Sequence, residues 1–104
     1  MITTPLWVWA SGNTSARWHF LSVEGAVKDE IAAHAAMMRL ELGIARKRGW
    51  GSVRVAAGIG DTQWQTSIFP DSGGERYLLP VKAAVRKAEG IHAGDIVTAT
   101  LNLI

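Results

Sequence analysis

The stretch YLLPVKAAVRKAEGIHAGDIVTATL, residues 77–101, has the pattern of a strand, a short helix, a turn and a closing strand. Pro80 is expected to begin the helix, because the first helical turn leaves its N–H groups unpaired and proline has none to lose. Gly90 is expected to end it, since glycine adopts the left-handed conformation of a helix C-cap without strain. From residue 97 to residue 103 apolar and polar residues alternate, which is the period of a half-buried strand. The stretch therefore predicts a helix inserted between two strands.

Strands dominate the rest of the chain. Alternating patterns bounded by turn residues predict strands at 6–10, 17–23, 52–59, 62–69 and 76–79. The first two are expected to form a hairpin, and Gly60-Asp61 is a two-residue hairpin signal between the next two. Between residue 24 and about residue 42 the period is helical, with one apolar stripe formed by Val27, Ile31, Ala35, Met38 and Leu42. Six or seven strands and two helices predict one small mixed barrel, a single domain at residues 1–104.

Composition excludes several classes of protein. With 104 residues, 48% hydrophobic and 19% charged, the chain is neither disordered nor fibrous. No apolar run approaches the ~18 residues of a membrane span. The absence of cysteine excludes disulfides and predicts a reducing, cytoplasmic location. The net charge of +2 neither supports nor forbids binding to nucleic acid, so only local patterns are informative.

Four segments carry a resemblance to a known family. They are WHF at 18–20, GWGSVRV at 49–55, WQTSIFP at 64–70 and the stretch at 77–101. In order, spacing and residue type they resemble the bacterial and archaeal family called domain of unknown function 1905. The resemblance implies a mainly β fold with two helices (α+β), a small double-split β-barrel. It also implies a distant similarity to the swapped-hairpin barrels of DNA-binding transition-state regulators. It implies no activity.

Lys82 and Arg86 are the first candidate site. They lie four residues apart on the predicted second helix, whose buried face is expected to contain Val81, Val85 and Ala88. Two cations on one flank can hold a carboxylate or phosphate, the arginine through two hydrogen bonds and the lysine as a point charge. The further candidates for this ligand site are Arg54, Ser67, Trp64 and Trp18. In the competing interpretation, which the frequency of solvated helix cations favours, both cations are surface groups, with Glu89 or Asp95 as the candidate partners.

A short basic run suggests a second kind of partner. Arg46, Lys47 and Arg48 precede Trp50, and together they could contact a phosphate backbone and stack on a base. Three charges contact few phosphates, and a solvated loop is the favoured interpretation of such a run. In swapped-hairpin DNA binders the basic residues lie near the N-terminal hairpin, where this chain has Arg17 alone. Nucleic-acid binding by a dimer is therefore the alternative function, not the leading one.

Tryptophan is abundant, with five residues in the chain. Trp7 and Trp9 alternate with Leu6 and Val8, so both faces of the first predicted strand are apolar. That strand must be covered on both sides, and a homodimer would cover it. A protein-interaction domain that uses these indoles is a third hypothesis.

Catalytic and metal signals are weak. The histidines at 19, 34 and 92 are scattered, and the chain has no cysteine to complete a metal site. The sequence GIGDTQW lacks the third glycine of a dinucleotide fingerprint. We therefore expect no metal, no cofactor and no catalytic residue. The leading hypothesis is a non-catalytic binding module for a small anionic or amphiphilic ligand.

Overall fold

A computed structural model describes residues 1–10, 17–42, 52–71 and 75–104. Within these ranges the chain forms seven strands and two helices. The strands are β1 (Ile2–Pro5), β2 (Trp7–Ala10), β3 (Arg17–Val23), β4 (Val53–Ile59), β5 (Thr62–Pro70), β6 (Tyr77–Pro80) and β7 (Ile96–Leu103). The helices are α1 (Gly25–Leu42) and α2 (Ala83–Glu89). The predicted hairpins, β2–β3 and β4–β5, are both confirmed.

The strands form one antiparallel sheet in the order β1-β7-β4-β5-β6-β3-β2. Its two edge strands, β1 and β2, are neighbours in the chain and are separated by Leu6 alone, so the sheet curls until it is nearly closed. The N–H of Leu6 donates to the carbonyl of Asp95 at 2.9 Å, and its carbonyl accepts from Gly94 at 2.7 Å. The predicted mainly β barrel with two helices is confirmed.

The side-chain alternation of the strands separates an inner from an outer face. On β3, Leu21 and Val23 are fully buried, whereas Trp18 on the opposite face is 53% exposed. The interior is filled by apolar side chains from the sheet and from α2, of which the largest fully buried are Leu6, Leu21, Ile68, Leu79, Val23, Val55 and Val85. Ile31 of α1 joins this core. Of the predicted stripe on α1, Val27 is half-buried, and the side chains of residues 35, 38 and 42 lie outside the description.

The start of the second helix differs from the prediction. Pro80 is the last residue of β6, and α2 begins at Ala83 with Lys82 as an extended N-cap residue. The reason is a tertiary contact, because the N–H of Val81 donates to the carbonyl of His19 at 2.9 Å and so extends the β3–β6 pairing past the proline.

The buried face and the end of α2 are largely as predicted. Val81 and Val85 are buried, but Ala88, which was expected on the same face, is exposed. The helix is only seven residues long, and in its last turn it is Glu89 that contacts the sheet, where it accepts a hydrogen bond from Thr62. Gly90 ends it with a φ of 63°, as predicted, and the following N–H of Ile91 bonds to the carbonyl of Arg86.

Candidate functional site

A recess opens between the first residues of β3, the middle of β5 and the beginning of α2. Its volume is about 240 Å³. The side chains that define it are Arg17, Trp18, His19, Trp64, Lys82 and Arg86, and we call it the cationic pocket. Arg17 and His19 alternate on β3 with the same parity as the buried Leu21, which directs them toward the barrel end beneath α2.

Arg86 is held in place inside the cationic pocket. Its Nε donates to the carbonyl of Val81 at 3.2 Å, and its Nη1 lies 3.3 Å from Nε2 of His19. A guanidinium only donates hydrogen bonds, so Nε2 must accept, and the proton of a neutral His19 ring then lies on Nδ1. This Nδ1 is buried, and no hydrogen-bond partner for it is found among the described residues. The arginine is therefore fixed at the expense of an unsatisfied N–H.

The electrostatics of the pocket keep His19 neutral. Burial of the ring lowers its pKa from 6.5, and the nearby charges of Arg86 and Arg17 lower it further. At neutral pH the pocket thus contains the positive charges of Arg17, Lys82 and Arg86 beside an uncharged imidazole. A site of this composition attracts anions.

Lys82 and Arg86 form no salt bridge with any carboxylate in the described part of the chain. The two carboxylates that were expected to pair with them have other partners. Glu89 accepts a hydrogen bond from the Thr62 hydroxyl at 2.5 Å, and Asp95 accepts one from the backbone N–H of His92 at 2.8 Å. The predicted pairing of Lys82 or Arg86 with Glu89 or Asp95 is therefore wrong, whereas Lys82 is exposed, as the surface interpretation expects.

A second, larger concavity lies on the outer face of β2, β3, β6 and the end of β5. Its volume is about 580 Å³. We call it the aromatic groove and define it by Trp7, Trp9, Trp18, Phe20, Phe69 and Leu78. The strand register creates it, because Trp7 lies opposite Phe20 and Trp9 lies opposite Trp18. Trp9 remains 51% exposed, so the described chain leaves this face largely uncovered.

A polar network fixes the floor of the aromatic groove. Arg76 donates from Nε to Oδ2 of Asp71 at 2.8 Å and from Nη1 to the Ser22 hydroxyl at 2.9 Å. The indole N–H of Trp7 donates to the same hydroxyl at 3.0 Å, and the guanidinium lies 5.1 Å from the centre of the Trp7 ring. The network holds Trp7 in one orientation and pairs the positive charge of Arg76 with the carboxylate of Asp71.

The aromatic groove and the cationic pocket are adjacent. Trp18 and Pro80 line both of them. Trp18 presents its ring between the two concavities, and Pro80 lies opposite Phe20 in the β3–β6 pairing. The two recesses therefore share a wall.

The structure brings together four of the six side chains that the sequence suggested for a ligand site. Trp18, Trp64, Lys82 and Arg86 line the cationic pocket, whereas Arg54 and Ser67 lie elsewhere. Arg54 and Ser67 are cross-strand neighbours joined by a hydrogen bond of 3.4 Å. Ser67 is three residues from Trp64 on β5, so strand alternation directs it to the opposite face. Arg46, Lys47, Arg48 and Trp50, the candidate nucleic-acid residues, lie outside the described residues.

Sequence reasoning missed two members of the pocket, Arg17 and His19. The available signal was their spacing, since they share the strand parity of Leu21 and Val23 and so face the barrel side. Among the residues that the structure describes, no cluster of three His, Asp or Glu side chains is suited to a metal ion. In the same ranges, no helix combines the length and apolar character required to cross a bilayer.

Comparison with known proteins identifies the family. No curated protein and no solved structure matches the chain. The family model described as "Domain of unknown function (DUF1905)" matches residues 3–101, nearly the whole sequence. This agrees with the resemblance carried by the four segments between residues 18 and 101. The chain therefore belongs to the DUF1905 family.

Proposed function

We propose that the protein is a non-catalytic binding module for a small anion, a carboxylate, sulfonate or phosphate group held in the cationic pocket. The observation that carries the proposal is the position of Lys82 and Arg86, which share the pocket with Arg17 and form no salt bridge with the described carboxylates. Unpaired cations that converge on a recess favour a negatively charged occupant.

The side chains have distinct roles in this proposal. Arg86 is oriented in advance by its bonds to Val81 and His19, so little rotamer entropy is lost when it donates to an anion. Lys82 supplies a mobile point charge at the rim. The indole of Trp64, which is 8% exposed, forms a wall that lowers the local dielectric and strengthens the attraction between charges.

Inorganic sulfate is the simplest probe of this proposal. Amide chemical shifts of residues 17–19 and 82–86 should move during a sulfate titration, and the affinity should fall as sodium chloride is added. Lys82→Ala should weaken sulfate binding roughly threefold to tenfold, the usual effect of removing one charged donor at a partly exposed site. The N-cap position itself loses little, because Lys82 makes no side-chain capping bond.

Lys87→Ala is the matched control. It removes the same charge from α2, the helix that Lys82 precedes as N-cap residue, and the Lys87 side chain does not line the pocket. Equal affinities in the two variants would show that sulfate responds to overall charge alone, and the proposal would fail. Arg54→Ala provides a second comparison, because Arg54 also lies outside the pocket and should leave sulfate binding unchanged.

A further inference from the structure

Building on the proposed function, we infer that the aromatic groove holds the apolar part of the same ligand. The ligand class is then an amphiphilic anion, an acidic group attached to an aromatic or acyl body. The acidic group lies in the cationic pocket, and the body crosses Trp18 into the groove.

The volumes of the two recesses and their shared wall suit a single ligand. Pockets for small organic ligands occupy roughly 300–1,000 Å³. The cationic pocket, at about 240 Å³, is large enough for an acidic group but smaller than this range. The aromatic groove, at about 580 Å³, falls within it. Because Trp18 and Pro80 line both, one molecule can occupy the two recesses without crossing a ridge of polar side chains.

Charge distribution is the second argument. Among the described residues that line the groove, Arg76 is the one cation, and it is paired with Asp71 and bonded to Ser22. The remaining walls of the groove are aromatic or aliphatic. The adjoining pocket contains Lys82 and Arg86, which form no salt bridge with a carboxylate of the described ranges. The two recesses thus match the two ends of an amphiphile.

Preorganisation is the third argument. Trp7 packs on Phe20 with ring centres 5.2 Å apart and is fixed by its bond to Ser22. Trp9, Trp18 and Phe69 are exposed by 51%, 53% and 39%. A rigid floor with exposed rings at its rim offers apolar area that a ligand can cover at small entropic cost.

The test uses three probes that separate the two halves of the ligand. Anilinonaphthalenesulfonate contains both an aromatic body and an anion, N-phenylnaphthylamine contains the same body without the anion, and inorganic sulfate is the anion alone. Dye binding is followed by dye fluorescence excited through the tryptophans, and sulfate binding by amide chemical shifts.

Four variants distinguish binding in the aromatic groove from binding in the cationic pocket. Phe69→Ala should weaken both dyes by about fivefold or more and leave sulfate unchanged, because it removes only apolar area. Trp9→Ala should act in the same direction. Lys82→Ala should weaken the sulfonate dye and sulfate but not the neutral dye. Ile96→Ala, which alters an exposed side chain of β7 outside the groove, should affect none of them.

The results distinguish a failure of the groove inference from a failure of the proposed anion site. If sulfate binding depends on Lys82 and neither dye depends on Phe69 or Trp9, the groove inference is overturned and the proposed anion site stands. If neither sulfate nor the sulfonate dye depends on Lys82, the proposed function fails, whatever the neutral dye does. Light scattering over a range of concentrations measures the oligomeric state. If the protein forms a dimer that does not bind the dyes, and Trp9→Ala dissociates this dimer, the groove is covered by a second copy of the chain and the inference is overturned.

Discussion

Replacing Gly60 by alanine should destabilise the fold by about 2–3 kcal/mol, because two separate effects add. Gly60 is the first residue of the β4–β5 turn and has a φ of 57°, a conformation that an alanine adopts only with strain. The new Cβ would also meet the carboxylate of Glu89, with Oε1 as its nearest neighbour and Cδ at 2.9 Å. Glu89 would have to move, and it would then lose the hydrogen bond that it accepts from Thr62.

Gly90→Ala measures the first effect alone. Gly90 has a similar φ of 63°, and an added Cβ would find nothing within 4 Å. Its replacement should cost about 1 kcal/mol, the backbone term by itself. The two variants should then differ by about 1–2 kcal/mol in free energy of unfolding. This difference is the contribution of the hydrogen bond between Thr62 and Glu89, which connects the end of α2 to the β4–β5 hairpin.

Equilibrium unfolding in urea, monitored by tryptophan fluorescence, gives both free energies of unfolding. A Thr62→Val background provides the internal check, since Gly60→Ala should there cost no more than Gly90→Ala does in the same background. If Gly60→Ala and Gly90→Ala are equally destabilising in the wild-type background, the proposed contribution of Glu89 is refuted.

Three further outcomes are expected. Trp7→Phe removes the indole N–H that donates to Ser22 and should lower stability by about 1 kcal/mol in urea unfolding; an unchanged midpoint would contradict the role of this bond. The pKa of His19 is lowered from 6.5, so between its folded value and 6.5 the unfolded chain binds more protons and stability should rise with pH. The His19→Gln variant should lack this increment, and an identical pH profile of unfolding would exclude His19 as its source. A labelled single-stranded oligonucleotide should bind only weakly and should be released as salt is added, because the three cations of the cationic pocket, Arg17, Lys82 and Arg86, can neutralise few phosphates; tight binding by fluorescence anisotropy would favour the nucleic-acid alternative.

Local signals in the sequence predicted most of the elements correctly. The hairpins, the first helix and the C-cap at Gly90 depend on residues close together in the chain, and they are confirmed. Pro80 was misplaced because the bond between His19 and Val81 joins segments about sixty residues apart, which no local propensity reports.

The candidate site was predicted only in part for a similar reason. Lys82 and Arg86 share a helix flank, which sequence spacing shows directly. They lie close to Arg17 and His19 only because β6 pairs with β3. Ser67 lies outside the pocket because it is on the opposite face of β5 from Trp64. Site residues from different strands can be combined only once the order of strands in the sheet is known.

The sheet order also governs the timing of folding. Strand β1 pairs with β7, so that Ile2 lies opposite Ala99. During synthesis on a ribosome, β1 has no partner strand until β7 has been made. Contacts of such long sequence separation slow folding, because the entropy of closing a large loop must be overcome before they form. Until β7 has formed, β1 has no partner strand and β4 has one unpaired edge, so the nascent chain exposes strand edges that are prone to aggregation.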